Sequence, residues 1–359
     1  MYHSQIFSIK LFLLIQYFAY ADSQCPSNFL KGPCSCIESN SSNDPVLLYP
    51  TVIESIPIRS KSIVCEHIEN SLFDLRSFFV KLSAILLTAG QKTNNVTSFN
   101  DFLLHNTKMK HLPRNLFGNI TFTNIILYQN PLLNSIDVNA FNNTRNKIEV
   151  FRTVNTSLSD SKTLFSLIRE FTNLRFLSME NDKLKSIPDY AFNNTHLRYI
   201  WFGAHFKQTS QPIEYIGKYS FYHAPSLTSL RIFSPLLAKI GKYSLAMNRI
   251  SRIVSDDLSQ MLYIDIGGSM IDSYSFESTS LTRLRNRSTF LRLYNTSIDY
   301  LDENVFQPFL ESNPSSLLDV QDSSLSRSCD SRSLWIKSEY CININSRENR
   351  VYGTACCSF

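Results

Sequence analysis

Glycine is scarce in this sequence, at 9 of 359 residues, and no glycine-rich loop that could cradle a phosphate appears. That excludes nucleotide-binding enzymes of the usual sequence types. Neither sign of charge dominates: Lys and Arg number 35 and Asp and Glu 30, a formal net charge of +5 spread along the chain, which does not point to nucleic acid. A low-hydrophobicity, high-charge composition is missing as well. Hydrophobic residues make up 43% and charged residues 18%, so the chain is not a disordered tail and has room for one large domain or two ordinary ones.

Catalytic signatures are absent too. The seven histidines, His3, His67, His105, His111, His196, His205 and His223, form no His-Glu-x-x-His, and neither Gly-x-Ser-x-Gly nor a paired Cys-x-x-Cys occurs. The adjacent acids Asp256-Asp257 and Asp302-Glu303 read as solvated loop charges, and Gly267-Gly268 as a turn. No catalytic residue, cofactor or metal ligand is expected. An enzyme built on convergent geometry is the reading that competes.

The first apolar run sits at the start. Lys10 precedes Leu11, Phe12, Leu13, Leu14 and Ile15, and Ala19-Tyr20-Ala21 follows as a small-x-small cleavage pattern. This reads as a signal peptide over residues 1–21, with a buried helix as the alternative. The run is too short to span a bilayer, no second long one follows, and the end after Ala355 is polar. A secreted, extracellular chain without a membrane span or lipid anchor is therefore expected.

Cysteine is confined to the ends. Cys25, Cys34, Cys36 and Cys65 lie early, Cys329, Cys341, Cys356 and Cys357 late, and the 263 residues between hold none. In an oxidising compartment this describes two disulfide-closed caps around a cysteine-free middle, with pairing inside each cap left open. Zinc, the rival, lacks histidines at ligand spacing. Eight Asn-x-Ser/Thr sequons agree with secretion: Asn40, Asn95, Asn119, Asn142, Asn155, Asn193, Asn286 and Asn295.

Self-similarity governs the middle. The template Leu-x-x-Leu-x-Leu-x-x-Asn-x-Leu fits Leu174, Leu177, Met179, Asp182 and Leu184, followed by Ile187-Pro188 and Phe192. Its second apolar place recurs at Phe102, Ile125, Phe151, Leu177, Ile200, Leu230, Ile264, Leu291 and Leu318, at a mean spacing of 27 residues. Each copy alternates apolar and exposed places, the mark of a short strand with one buried face. No copy closes its own core; stacking buries a continuous apolar column. Phe117, Phe141, Phe192, Phe221 and Phe306 read as an aromatic spine on the return path. The Asn place after the strand survives at Asn130 and is taken by Asp182, Thr107, Thr156, Ser269, Thr296 and Ser323 elsewhere; His205 and Pro235 fit it poorly.

The predicted fold is an α/β solenoid: a leucine-rich repeat horseshoe of about nine repeats with disulfide-closed N- and C-terminal caps. The predicted division is a signal peptide over 1–21, a cysteine-rich N-terminal cap over 22–94 with a helix at about 71–88, repeats over 95–326 and a cysteine-rich C-terminal cap over 327–359. The helix stripe of Leu72, Leu75, Phe78, Phe79, Leu82, Ile85 and Leu86 is read as burying itself against the first repeat, with membrane binding as the alternative. Trp335 is read as the core aromatic of the last cap.

The chain resembles secreted extracellular leucine-rich repeat proteins with cysteine-rich caps. Cys329-Asp330-Ser331-Arg332-Ser333-Leu334-Trp335-Ile336 is similar to that family's Cys-x-Cys-x-x-x-Trp-Leu, with Ser331 where the family has its second cysteine. Leu112-Pro113-Arg114-Asn115-Leu116-Phe117-Gly118-Asn119-Ile120-Thr121 and Tyr300-Leu301-Asp302-Glu303-Asn304-Val305-Phe306 are similar to arthropod secreted proteins named after the non-catalytic subunit of the oplophorus-luciferin monooxygenase. That resemblance implies a secreted, non-catalytic binding protein.

In such a solenoid the strands line the concave face. Its exposed places hold Tyr128, Arg152, Phe176, Tyr199, Trp201, Arg231, Phe233, Tyr263, Arg292 and Tyr294, the residue types that dominate binding hot spots. We expect an extracellular protein ligand held there, centred on Trp201, Arg231, Tyr263 and Arg292. Mutual packing of these side chains is the competing reading. A soluble co-receptor or receptor-type ectodomain beside a membrane protein is the alternative function; nucleic acid is not expected, and oligomeric state is left open.

Overall fold

The computed structural model describes residues 25, 32–37, 61–69, 73–88, 98–203, 211–247, 261–282, 284, 287–336, 340, 351–352 and 354–357. The leader at 1–21, the sequons Asn40, Asn95 and Asn286, His205, Cys341 and the Cys357 side chain lie outside the described residues.

Alternating apolar residues build one long sheet. Cys34–Ile37 pairs antiparallel with Ser62–Glu66. From there every neighbour is parallel: Ser98–His105, Thr121–Tyr128, Val150–Val154, Phe176–Glu180, Tyr199–Phe202, Ser229–Phe233, Leu262–Gly267, Thr289–Tyr294, Leu317–Asp319 and Val351–Tyr352. Parallel strands require a crossover between them, and each repeat supplies one. The nine apolar places read from the sequence lie side by side, Phe102 against Ile125 and so on to Leu291 against Leu318. Ile63 extends that row at one end and Val351 at the other. All these residues are buried. The chain is thus a leucine-rich repeat solenoid closed near both ends by disulfides.

The return paths vary. Several turn through two-residue strands, His111–Leu112 beside Ser135–Ile136, and Ser186–Ile187, Tyr215–Ile216 and Lys239–Ile240 as a three-stranded strip. One path is instead a helix, Ser161–Arg169, started by Asp160, whose carboxylate accepts from the Thr163 N–H at 3.1 Å. Another is the helix Glu303–Ser312, capped by Asp302. The aromatic spine is buried throughout, with Phe117, Phe141, Phe192, Phe221 and Phe306 each 2% exposed or less. Phe117 stacks on Phe141 at 5.5 Å and Phe192 on Phe221 at 5.4 Å. Between Phe141 and Phe192, Phe171 and the helical Phe165 fill the column.

Polar places after the strands form a partial ladder. Asn130 Oδ1 accepts from the N–H and hydroxyl of Thr107 at 3.0 and 2.7 Å, and its amide donates to the carbonyls of Leu104 and Tyr128. Asp182 does the same for Thr156 and also accepts from the Thr153 hydroxyl. Where Pro235 breaks the pattern, Ser234 donates its hydroxyl to the Ile213 carbonyl at 2.6 Å. Just before these places the chain turns left-handed at Asn106, Gln129, Asn155, Asn181 and Asn295, with φ between 49 and 54°. Amide side chains tolerate that region best after glycine.

The N-terminal helix runs Leu75–Thr88, four residues later than 71. Asp74 sets its start by accepting from the Ser77 N–H at 3.0 Å and from the Ser77 hydroxyl at 2.5 Å. Leu75, Phe78, Phe79, Leu82 and Leu86 of its apolar stripe are buried in the repeat core and Ile85 is half-buried; the Phe79 ring lies 4.9 Å from Phe117 and 5.6 Å from Phe102. Disulfides join Cys25 to Cys36, Cys34 to Cys65 and Cys329 to Cys356. Among the described residues of the last cap Ser333 and Ile336 are fully buried; Trp335 is half-buried, packs against the core and donates its Nε1 proton to the Leu301 carbonyl at 3.0 Å.

Candidate binding face

The outward places of the strands make three rows across the concave face. One row reads Leu103, Ile126, Arg152, Ser178, Trp201, Arg231, Asp265, Arg292 and Asp319 in order along the sheet. The row on one side holds Phe176, Tyr199, Ser229, Tyr263 and Phe290; the row on the other holds His105, Tyr128, Val154 and Glu180, then Phe233, Gly267 and Tyr294.

The two halves of this face differ. Towards the N-terminal cap it is apolar and closed: Val64, Leu103, Ile126, Tyr128 and Val154 form a second hydrophobic cluster separate from the core, with Ile37 packed against it. Tyr128, only 4% exposed, belongs to that cluster and is not part of an accessible surface. Arg152 is also buried, at 6% exposed. Its guanidinium is held by Glu180 at 2.7 Å, itself 6% exposed and accepting from the Ser178 hydroxyl. A buried charge of this kind needs its partner, and Glu180 supplies it from the next strand.

Towards the C-terminal cap the face is open and mixed. Phe176, Tyr199, Trp201, Phe233, Tyr263 and Arg292 are half-buried and Arg231 is exposed. Phe176 meets the Trp201 ring edge-on at 4.9 Å. On the next strand the Arg231 guanidinium lies 5.1 Å from the centre of that indole, within cation–π range. Tyr263 and Phe290 meet at 6.0 Å one and two strands further on. Arg292 is tied to Asp319 at 3.5 Å and to Asp322 at 3.8 Å. Burial pushes the Asp319 carboxyl up, and Arg292 pulls against that shift. Burial likewise raises the Tyr263 phenol.

Tyr294 is buried too, at 5% exposed, for a reason that lies in its neighbour. Its ring stacks on Phe233 at 5.6 Å and 6° although their strands are separated by Leu262–Gly267. Gly267 stands between them, and a Cβ there would meet the Tyr294 ring at 2.6 Å. The missing side chain lets Tyr294 lie flat over the strand and reach Phe233. Burial, then the nearby Asp265, raise its phenol pKa further than that of Tyr263.

Three of the ten candidates, Tyr128, Arg152 and Tyr294, are therefore corrected from surface to interior. Two contributors escaped the sequence reading. Glu180 stands in the neighbouring copy, across and one row over from Arg152, so a search for opposite charges in adjacent repeats would have paired them. Gly267 fills an outward place flanked in both adjacent repeats by aromatics, a signal that a ring crosses it. Among the described residues no group of three or more His, Cys, Asp or Glu side chains is placed to hold a metal. Among them, no helix is long and apolar enough to cross a membrane.

Of the expected glycan sites, Asn119, Asn193 and Asn295 are exposed, while Asn142 and Asn155 are half-buried. Asn142 donates to Asn115 Oδ1 at 3.2 Å, and Asn155 Oδ1 accepts from Asn181.

A parallel sheet on one face, short strands or helices on the return and an amide–hydroxyl ladder between them define a leucine-rich repeat protein, a fold typically used as a non-enzymatic binding scaffold. The BspA-type leucine-rich repeat region, in six copies, matches residues 88–212 and 181–309, well over half of the chain. The chain belongs to that BspA-type leucine-rich repeat family. No curated protein matches it.

Proposed function

We propose that this chain is a secreted, non-catalytic binding protein that recognises an extracellular protein partner on the open half of its concave face. The observation that carries the proposal is the continuous patch of Phe176, Trp201, Arg231, Tyr263, Phe290 and Arg292 laid over five neighbouring strands. At the usual strand spacing that patch is roughly 20 Å wide, enough to seat the central anchors of an ordinary interface. Trp, Tyr and Arg combine large buried area with a polar handle, and clusters of them left accessible on a soluble surface mark partner sites. Parallel pairing fixes their spacing before any partner arrives, so little ordering entropy opposes binding. The paired caps and the sequons support an oxidising, extracellular setting, and with it the narrower likeness to secreted arthropod leucine-rich proteins.

The test is hydrogen exchange on the intact protein with a partner recovered from its native fluid. Protection in Tyr199–Phe202 and Ser229–Phe233 is expected. Protection confined to the return side, at Tyr215–Ile216 and Lys239–Ile240, would place the interface on the opposite face.

A further inference from the structure

At the C-terminal rim of the face lies a groove of about 590 Å³, in the range of small-molecule sites and separate from the Trp201 patch. The Phe233–Tyr294 pair lines it, together with Asn295, Thr296, Gln321 and three serines. Asp322 and Arg327 also line it and carry opposite charges, so the groove favours neither a strong anion nor a strong cation. What remains is an aromatic pair beside neutral amides and hydroxyls, the combination that suits a neutral saccharide: ring C–H groups against the aromatics, hydroxyls against the polar atoms.

A second observation points to a ligand. Thr296 lines the groove and is only 7% exposed, yet its hydroxyl has no partner. At the two equivalent places, Thr107 and Thr156, the hydroxyl donates to Asn130 and Asp182. Here the next rung, Ser323, turns its hydroxyl to the Val320 carbonyl instead, so the ladder ends open at the groove. A buried hydroxyl without a partner is costly, and a ligand oxygen would satisfy it.

We propose that this groove is a saccharide subsite, with Thr296 and Gln321 as polar anchors and the half-buried Phe233, backed by the buried Tyr294, as the aromatic wall. The sugar can come from two sources. Asn295 lines the groove and opens the sequon Asn295-Thr296-Ser297, so its own glycan could fold into it; otherwise the sugar belongs to another molecule. Ser297 does not line the groove, so Ser297→Ala removes the sequon and leaves the site intact.

The experiment is ligand-observed NMR of the secreted full-length protein with N,N′-diacetylchitobiose, cellobiose and maltose. Binding by Ser297→Ala but not by glycosylated wild type identifies the chain's own glycan as the occupant. Equal binding by both identifies an external sugar. In either case Thr296→Val in the Ser297→Ala background should weaken binding about tenfold, the loss of one hydrogen bond. Thermal stability should not fall and should rise slightly, because that hydroxyl bonds to nothing in the fold and its burial is a cost that valine removes. Gln321→Ala, at an exposed position, should weaken binding too. The proposal is overturned if Ser297→Ala binds none of the three at about 20 mM, a limit beyond millimolar affinity. It is also overturned if Thr296→Val and Gln321→Ala both bind like their parent.

Discussion

At the residue scale Asp182 carries the most consequence. It occupies a place where Asn130 shows what a neutral amide does, and it is fully buried. Desolvation outweighs the hydrogen bonds from Thr153, Thr156 and Gln211 and lifts its pKa from 3.8 to about 6. Thr153 reads as its accommodation: it stands in a core row between Leu127 and Met179, and its hydroxyl donates to the carboxylate. Because the folded pKa is raised, the stabilisation is complete below the unfolded value and is lost as pH climbs through about 6. Asp182→Asn should therefore match or slightly trail the parent near pH 4 and exceed it near neutrality, by on the order of 3 kcal/mol. Denaturant unfolding at several pH values checks this; parallel curves for the two proteins would contradict it. Arg152 and Glu180 give a second expectation. Arg152→Ala strands a buried carboxylate and should destabilise by about 3–5 kcal/mol, whereas Arg152→Met with Glu180→Met should restore most of that loss. Equal unfolding midpoints for the single and double variants would refute the pairing.

At the element scale the N-terminal helix and the repeats depend on one another. Phe79 touches Phe102, Phe117 and Phe122, which belong to the first two repeats. Phe79→Ala should lower stability by about 3–5 kcal/mol, while Asp74→Ala, which removes only the cap, should cost about 1 kcal/mol. Chemical unfolding followed by circular dichroism separates the two; similar losses would mean that the helix is not seated on the repeats. The strand register was legible in the sequence because period-two alternation fixes which residues face inward and the repeat spacing fixes which residues are neighbours. The nine apolar places from Phe102 to Leu318 follow from those two facts. The return paths were less legible. Asp160 and the apolar places Leu164, Phe165, Leu167 and Ile168 signal a helix only once the preceding strand is known to end at Val154. The outward residues were harder still. Alternation says that Arg152 and Trp201 both point away from the core, but not that one meets a carboxylate and is buried while the other keeps an accessible ring. That depends on the neighbouring copy: Glu180 for Arg152, the small Ser178 and exposed Arg231 for Trp201.

At the scale of the whole molecule the chain is built on one long sheet with a closed end and an open face. The caps are local. Cys34–Cys65 ties the antiparallel first strand to the second, and Cys329–Cys356 closes a loop beside the last repeats. Non-reducing peptide mapping should recover these two and Cys25–Cys36. A bridge between the two ends of the chain would contradict the two-cap architecture, because bridged Cα atoms must lie within about 7 Å. The concave sheet is apolar and filled near the first cap and aromatic and charged from Phe176 to Arg292, so the face has one accessible region rather than two. The most direct measurement of that claim is the dissociation constant of the native partner for the parent and for Trp201→Ala with Arg231→Ala. The double variant must first be shown folded by circular dichroism and by an intact unfolding transition. A loss of about 2 kcal/mol or more per anchor, roughly thirtyfold each, is the predicted result. A folded double variant that keeps full affinity would contradict the concave site.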